Sequence, residues 1–236
     1  MNILALDSSA AVASAAIVRD GRLLAEYTLN NGNTHSETLL PMVELLLSHL
    51  GLSVAEIDLF AASAGPGSFT GVRIGAATLK GLAFASDKPC AEVSTLEAIA
   101  ENLRVCPGLI CPVMNARRSQ VYTALFRSDG ETVTRLLPDS ALSIAELDEL
   151  LAEYGEPVRF AGDGYDVTLR ALTKTQALPV PERLRHQSAA SVAAVAAKAA
   201  EEGKTGSDTA FAVHYLRPSQ AERERLEKEN NQTNQA

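Results

Sequence analysis

Apolar residues open the chain in short runs divided by turn residues. The run at 3–7 ends in Asp7-Ser8-Ser9, a second covers 12–18 and a third 23–29, with Arg19-Asp20-Gly21 between the last two. An Asp-Gly pair between β-compatible runs predicts a hairpin, because glycine tolerates the positive φ of a tight turn. Three antiparallel strands are expected. Thr34 and Glu37 then have capping-box spacing. Leu39, Leu40, Val43, Leu46, Leu47 and Leu50 recur at helical intervals up to a stop at Gly51, with Pro41 expected to bend the first turns. Residues 57–64 read as a buried strand ending at Gly65-Pro66-Gly67, 70–85 as a second helix, 90–93 as a short strand and 95–103 as a third helix.

The order then restarts. An apolar run at 109–114 ends at Asn115, a hairpin signal at Ser128-Asp129-Gly130 separates runs at 121–126 and 132–137, and Ser143 with Glu146 makes a second capping box. A helix stopped by Gly155 follows, then a strand at 158–161 ending in Gly162-Asp163-Gly164. Corresponding points lie roughly 100 residues apart, which reads as a duplication. An Ala-rich helix at 188–202 and a charged, amide-rich tail at 219–236 complete the chain. The pattern predicts an α/β fold of the actin-like, Hsp70-like and sugar-kinase-like (ASKHA) superfamily: two RNase H-like halves at 1–104 and 105–218. Fold alone licenses no activity.

Composition narrows the classes. With 236 residues and 46% hydrophobic content the chain can bury a globular core. No apolar stretch reaches the roughly 18 residues that cross a bilayer, and no secretory signal is visible at the start. Cys90, Cys106 and Cys111 are sparse and irregular, as expected of reduced thiols in a cytoplasm. The 21 basic against 29 acidic side chains give a net charge of −8 and no dense basic stripe, which argues against an autonomous nucleic-acid binder.

Gly65-Pro66-Gly67-Ser68-Phe69-Thr70-Gly71-Val72-Arg73-Ile74-Gly75 is the most distinctive segment: a strand turning sharply into a helix whose free N–H groups could hold an anion. Asp7, Ser8, Ser9, Gly65 and Gly67 are accordingly candidates for weak phosphate or nucleotide contact, and the equal alternative is a tight turn capped by its own side chains. Gly71, Gly75, Thr78, Leu82 and Ala85 share a stripe of mostly small residues on that helix. Arg117 and Arg118 either meet phosphate or form a solvated hairpin face.

GPGSFTGVRIG, the N-terminal ILALDSSAAVASAAIV, His35-Ser36-Glu37, Leu40-Pro41, Asn115-Ala116-Arg117 with Gln120-Val121-Tyr122, Gly162-Asp163-Gly164 and Tyr215-Leu216-Arg217 together resemble the TsaB (YeaZ) family. The resemblance is dense to about residue 125 and thin beyond it. It implies a part in making threonylcarbamoyladenosine beside the tRNA anticodon, alongside the related transferase TsaD and the ATPase TsaE, with tRNA met only within that complex and no membrane. The transferase carries a metal-binding histidine pair where this chain has Thr95 and Ile99, residues unsuited to a metal. Its second glycine-rich phosphate turn is replaced by Asn115-Ala116-Arg117-Arg118, and the family's usual aspartate is here Asn115. A non-catalytic activating subunit is therefore expected, with no catalytic or metal residue and no tightly bound cofactor, only weak ATP or ADP with magnesium at most. An ATP-dependent small-molecule kinase and, behind it, a glycoprotease-like metallopeptidase are the alternatives. Homodimer and TsaD are expected to compete for the helices at 34–50 and 70–85, through Leu39, Val43, Leu46, Leu47, Leu50, Gly71, Arg73, Gly75, Thr78 and Leu82. Residues 1–104 hold 11 acidic and 6 basic side chains, so the half expected to dock a protein is the more acidic.

Overall fold

A computed structural model describes residues 1–32 and 34–217; the charged tail from 219 lies outside the described residues. Strands β1 (Asn2–Asp7), β2 (Ala13–Arg19) and β3 (Arg22–Leu29) form the antiparallel meander expected at the start. Asp20 and Gly21 turn between β2 and β3 with φ of 49° and 77°, the two positive values that a right-twisted hairpin favours. Helix α1 (His35–Leu50) follows and ends where Gly51 adopts φ 63° and closes onto the carbonyls of Leu47 and Ser48. The Thr34–Glu37 capping box does not form: Thr34 is the N-cap, but its hydroxyl makes no capping bond. Strand β4 (Leu59–Gly65), helix α2 (Phe69–Ser86), strand β5 (Cys90–Ser94) and helix α3 (Thr95–Glu101) complete the first set. The sheet order is β3-β2-β1-β4-β5, with β4 and β5 parallel to β1.

The second set repeats the first. Strands β6 (Gly108–Asn115), β7 (Gln120–Ser128) and β8 (Val133–Ser143) form a meander, and helix α4 (Ile144–Ala152) starts from the Ser143–Glu146 capping box, formed in both directions. Strand β9 (Val158–Ala161), helix α5 (Tyr165–Ala171), the two-residue strand β10 (Ala177–Leu178) and helix α6 (Ala189–Glu201) close the chain. The sheet order β8-β7-β6-β9-β10 matches the first sheet position for position. Gly65 and Gly162 end the equivalent strands β4 and β9 with φ of 115° and 111°. A β-carbon at either would press on a backbone carbonyl, of His214 or Val113, so only glycine fits both turns. These paired sheets and turns make the two-part actin-like (ASKHA) fold.

Division of the chain at residue 104 does not divide the packing. α6 lies on the first sheet, where Ala189, Val192, Ala193 and Ala196 cover Ile3, Ala5, Leu59, Ala61 and Val93. α3 packs the other way: Leu96, Ile99 and Ala100 join Leu109, Val113, Phe126 and Phe160 in the core of the second half. Among the described residues no helix is long and apolar enough to cross a membrane.

Candidate functional site

A cleft of about 590 Å³ separates the halves, walled by Ser9–Ala11 and Pro66–Thr70 on one side and by Met114–Arg117, Tyr122 and Asp163 on the other, with His214–Arg217 lying along it. The first wall is built by the glycines. Ser8 Oγ donates to the Gly71 carbonyl at 2.9 Å, and Ser68 N–H donates to the Ser9 carbonyl at 2.7 Å. β-carbons at Gly67 and Gly71 would come within 3.0 Å of the Ser9 and Ser8 carbonyl oxygens, and one at Gly75 would lie 2.5 Å from Ser8 Oγ. The glycine spacing lets the start of α2 lie against the turn after β1. Gly71 and Gly75 are therefore filled by this chain's own Ser8 and have no surface to offer a second helix.

Of the anion-site candidates, Ser9 and Gly67 line the cleft. Gly65 and Ser8 are buried behind it. Asp7 is 1% exposed, and both its oxygens are engaged: Ser9 N–H and Ser9 Oγ donate to Oδ1 at 2.8 and 2.7 Å, and the Ser63 hydroxyl donates to Oδ2. Burial raises its pKa above the ordinary 3.8 against the pull of those hydrogen bonds. Asn115, at the equivalent strand end, accepts the Arg117 N–H at 2.9 Å through its side chain. At these two equivalent strand ends neither side chain turns an anionic oxygen to the cleft: Asp7 is buried and Asn115 carries an amide.

One carboxylate does reach the cleft. β9 runs parallel to β6, so the turn at its end places Asp163 beside Asn115, whose N–H donates to Asp163 Oδ1 at 3.0 Å. Desolvation raises this carboxyl above its ordinary range, with the Asn115 N–H and the nearby Arg117 charge acting in the opposite sense. The sequence pattern marks Gly162-Asp163-Gly164 only as a turn; pairing the parallel strand ends is the signal that places Asp163.

The segment along the cleft also exceeds what the sequence pattern suggests. Gly206 bridges to Cys90, Ala212 N–H donates to Glu92 Oε1 at 2.7 Å, and His214 meets Glu92 Oε2 at 2.7 Å. His214 N–H donates to the Ala64 carbonyl, Tyr215 stacks on Phe69 with ring centroids 4.6 Å apart, and Arg73 Nε donates to the Tyr215 hydroxyl. Arg217 Nη1 then crosses to the Ala116 carbonyl of the second half at 3.2 Å. His35, at the first turn of α1, is tied through Nε2 to the Ala10 carbonyl at 2.6 Å. Thr95 and Ile99 are sealed in the interior at 0% and 1% exposure, away from the cleft. Burial pushes the Cys90 and Cys111 thiols up to about 11 and about 12, so neither is a ready nucleophile.

The expected docking helices need correction in detail. Leu39, Val43, Leu46 and Leu47 are spent in the first half's own core, and Leu50, Thr78 and Leu82 are partly buried. Arg73 is exposed, with its guanidinium 3.7 Å from the Phe69 ring centroid. The outward apolar residues are Leu40, Leu45 and Phe84, at 45%, 49% and 76% exposure. Helical periodicity finds the apolar stripe but cannot say that α1 carries leucines beyond it.

A family model described as "TsaD: tRNA N6-adenosine threonylcarbamoyltransferase" matches residues 22–224. The "tRNA threonylcarbamoyladenosine biosynthesis protein TsaB" of Bacillus subtilis is 38% identical over 162 residues, covering 69% of this chain and 71% of that protein. The protein of the same description from Escherichia coli is 37% identical over 131 residues, 55% of this chain and 56% of its own length. The solved structure of YeaZ from Pseudomonas aeruginosa superposes with a TM-score of 0.77 at 27% identity, covering 91% of this chain and 99% of that one.

Proposed function

On the premise that the chain belongs to the TsaB (YeaZ) family, we propose that it is a non-catalytic subunit in the making of threonylcarbamoyladenosine on tRNA. It binds the transferase TsaD in the cytoplasm and activates threonylcarbamoyl transfer to the adenosine next to the anticodon of tRNAs that read codons beginning with adenine. The observation that carries the non-catalytic reading is the burial of the positions to which the resemblance assigns metal: Asp7, Thr95 and Ile99. Asp7 spends both oxygens on Ser9 and Ser63, and Thr95 and Ile99 lie in the packed interior. Asp7, 1% exposed, has no face on the cleft from which to orient a metal or move a proton. The exposed Leu40, Leu45 and Phe84 support docking by α1 and α2, to a second copy or to TsaD in turn, because they are the large apolar side chains that these two helices leave in water. TsaE acts within the same assembly, and any ATP or ADP held by this chain with magnesium is weak.

Reconstitution tests this. TsaD, TsaE and tRNA are assayed with and without the chain, with the chain alone as a third arm. The expected result is modification that depends on both TsaD and this chain. An undiminished rate without it sinks the activator role, and transfer by the chain alone makes it the enzyme.

A further inference from the structure

We propose that the cleft between the halves binds one nucleotide unit of a single-stranded RNA segment, its phosphate on Arg117 and Arg217, with Arg118 adding charge from the same hairpin, and its base on Tyr215. This rests on the reading that the chain works on an RNA-modifying assembly, and it gives the chain a contact of its own with that RNA. The net charge is −8, yet three arginines gather at one turn of the cleft: Arg117 and Arg118 in the β6–β7 hairpin, and Arg217 on the carbonyl of Ala116 in the same hairpin. Among the described residues none of the three makes an ion pair within 4.0 Å. Asp163 is the acidic group on that wall; it faces Arg117 and leaves Arg118 and Arg217 uncompensated.

The backbone adds a second observation. Arg117, Arg118 and Ser119 hold φ of 65°, 54° and 56°, three successive non-glycine residues in the left-handed region. Each costs on the order of 1 kcal/mol relative to glycine. A turn that needed only its shape would be relieved by Gly or Asn at any of the three. Arginine there puts Arg117 on the lining of the cleft and Arg118 next to it in the same exposed turn.

Aromatic surface is the third. Tyr215 keeps 41% of its surface exposed while its hydroxyl is fixed by Arg73 and its ring lies against Phe69. Tyr215 and Arg217 are two residues apart and line the same cavity with Phe69 and Arg117. A ring held rigid beside unpaired arginines has the form of single-strand recognition, in which a base stacks and the adjoining phosphate is neutralised. Free nucleotide shares that chemistry; the RNA strand is favoured because the chain's relatives act in making a modified nucleoside on tRNA, and the second probe below separates the two sources.

Anisotropy of a fluorescein-labelled RNA stem-loop, titrated with the full chain at low and at raised salt, tests the site, with a fluorescent ATP analogue as the second probe. Arg117→Ala/Arg118→Ala is expected to weaken RNA binding roughly tenfold and to flatten the log affinity–log salt slope by about 0.7, the share of one phosphate contact. Arg117→Lys/Arg118→Lys keeps most of that slope. Tyr215→Leu weakens binding about fivefold or more with the slope unchanged. Because the hairpin arginines are exposed, unchanged circular dichroism and melting temperature are expected for the first two variants. RNA affinity indifferent to both the arginine and the tyrosine changes overturns the proposal. So does arginine-dependent binding of the ATP analogue without RNA binding. Arginine-dependent RNA binding by a chain that fails to stimulate modification would remove the subunit reading and leave this one standing; stimulation with arginine-independent binding would do the reverse.

Discussion

Replacing Gly71 and Gly81 by alanine, one at a time, should change stability in opposite directions although both lie in α2. Alanine gains about 1 kcal/mol over glycine in a helix interior, where Gly81 lies, and at most that at Gly71 in the first turn after the Ser68 N-cap. At Gly81 nothing lies within 4 Å of the added methyl, so that gain is kept whole. At Gly71 the methyl would come within 3.0 Å of the Ser8 carbonyl oxygen and 3.3 Å from His35 Cδ2. Ser8 is held from both sides, since its hydroxyl donates to the Gly71 carbonyl and Asp7 and Ser9 before and after it are joined by hydrogen bonds. The turn cannot withdraw without breaking those bonds, so the overpacking cost is at the upper end of its usual range, about 3 kcal/mol. The net is a loss of about 2 kcal/mol at Gly71 and a gain of about 1 at Gly81. For a chain of this length the gap of about 3 kcal/mol corresponds to roughly 6–12 °C in melting temperature. Urea unfolding with a shared m-value, checked by scanning calorimetry, measures it. Equal midpoints for the two variants would refute the claim that the glycines of α2 are chosen by the turn after β1.

Leu45→Glu and Phe84→Glu should abolish self-association and TsaD pairing in size-exclusion runs at nearly unchanged melting temperature, whereas Leu46→Glu, buried at 0% exposure, should unfold the chain by placing a charge in the core; soluble, monomeric Leu46→Glu of full stability would contradict the burial. Asp148→Asn should be destabilising at neutral pH and nearly silent in acid. Burial opposes ionisation of Asp148, but the N–H and hydroxyl groups of Thr173 and Thr175 outweigh it and hold the carboxyl at about 2. A depressed value stabilises the fold above the ordinary 3.8, and that contribution is lost as pH falls from there through about 2. Chemical denaturation across that range measures it, and a gap between the two proteins that persists at the acid end would count against the loop contacts.

Much of the architecture is legible because its signals are local. Asp20-Gly21 announces its hairpin, Ser143 with Glu146 its helix, and Gly51 its helix end, each through chemistry within four residues. Thr34 with Glu37 carries the same local signal yet forms no side-chain cap, and Tyr165–Ala171 is too short to show periodicity. What stays hidden is long-range. Asp163 becomes a cleft residue only because β9 pairs with β6, and Tyr215 meets Phe69 only because the chain returns along β5. Leucine spacing likewise marks an apolar stripe on α1, while the separation of Leu45 from Leu46 depends on which side the sheet covers.

The crossed placement of α3 and α6 bears on how the protein is made. Strands β1, β2, β4 and β5 are complete once residue 94 is added, and α1 and α2 can cover one side of them at once. Their other side is capped by Ala189–Ala196, almost a hundred residues further along. α3 meanwhile seeks partners such as Phe126 and Phe160 that are not yet synthesised. A nascent chain thus carries Ile3, Ala5, Leu59 and Val93 together uncovered over the roughly hundred residues between β5 and α6, and native closure is held back until α6 has left the ribosome. Every strand of the first sheet is in place early, and its last wall is among the final pieces to arrive.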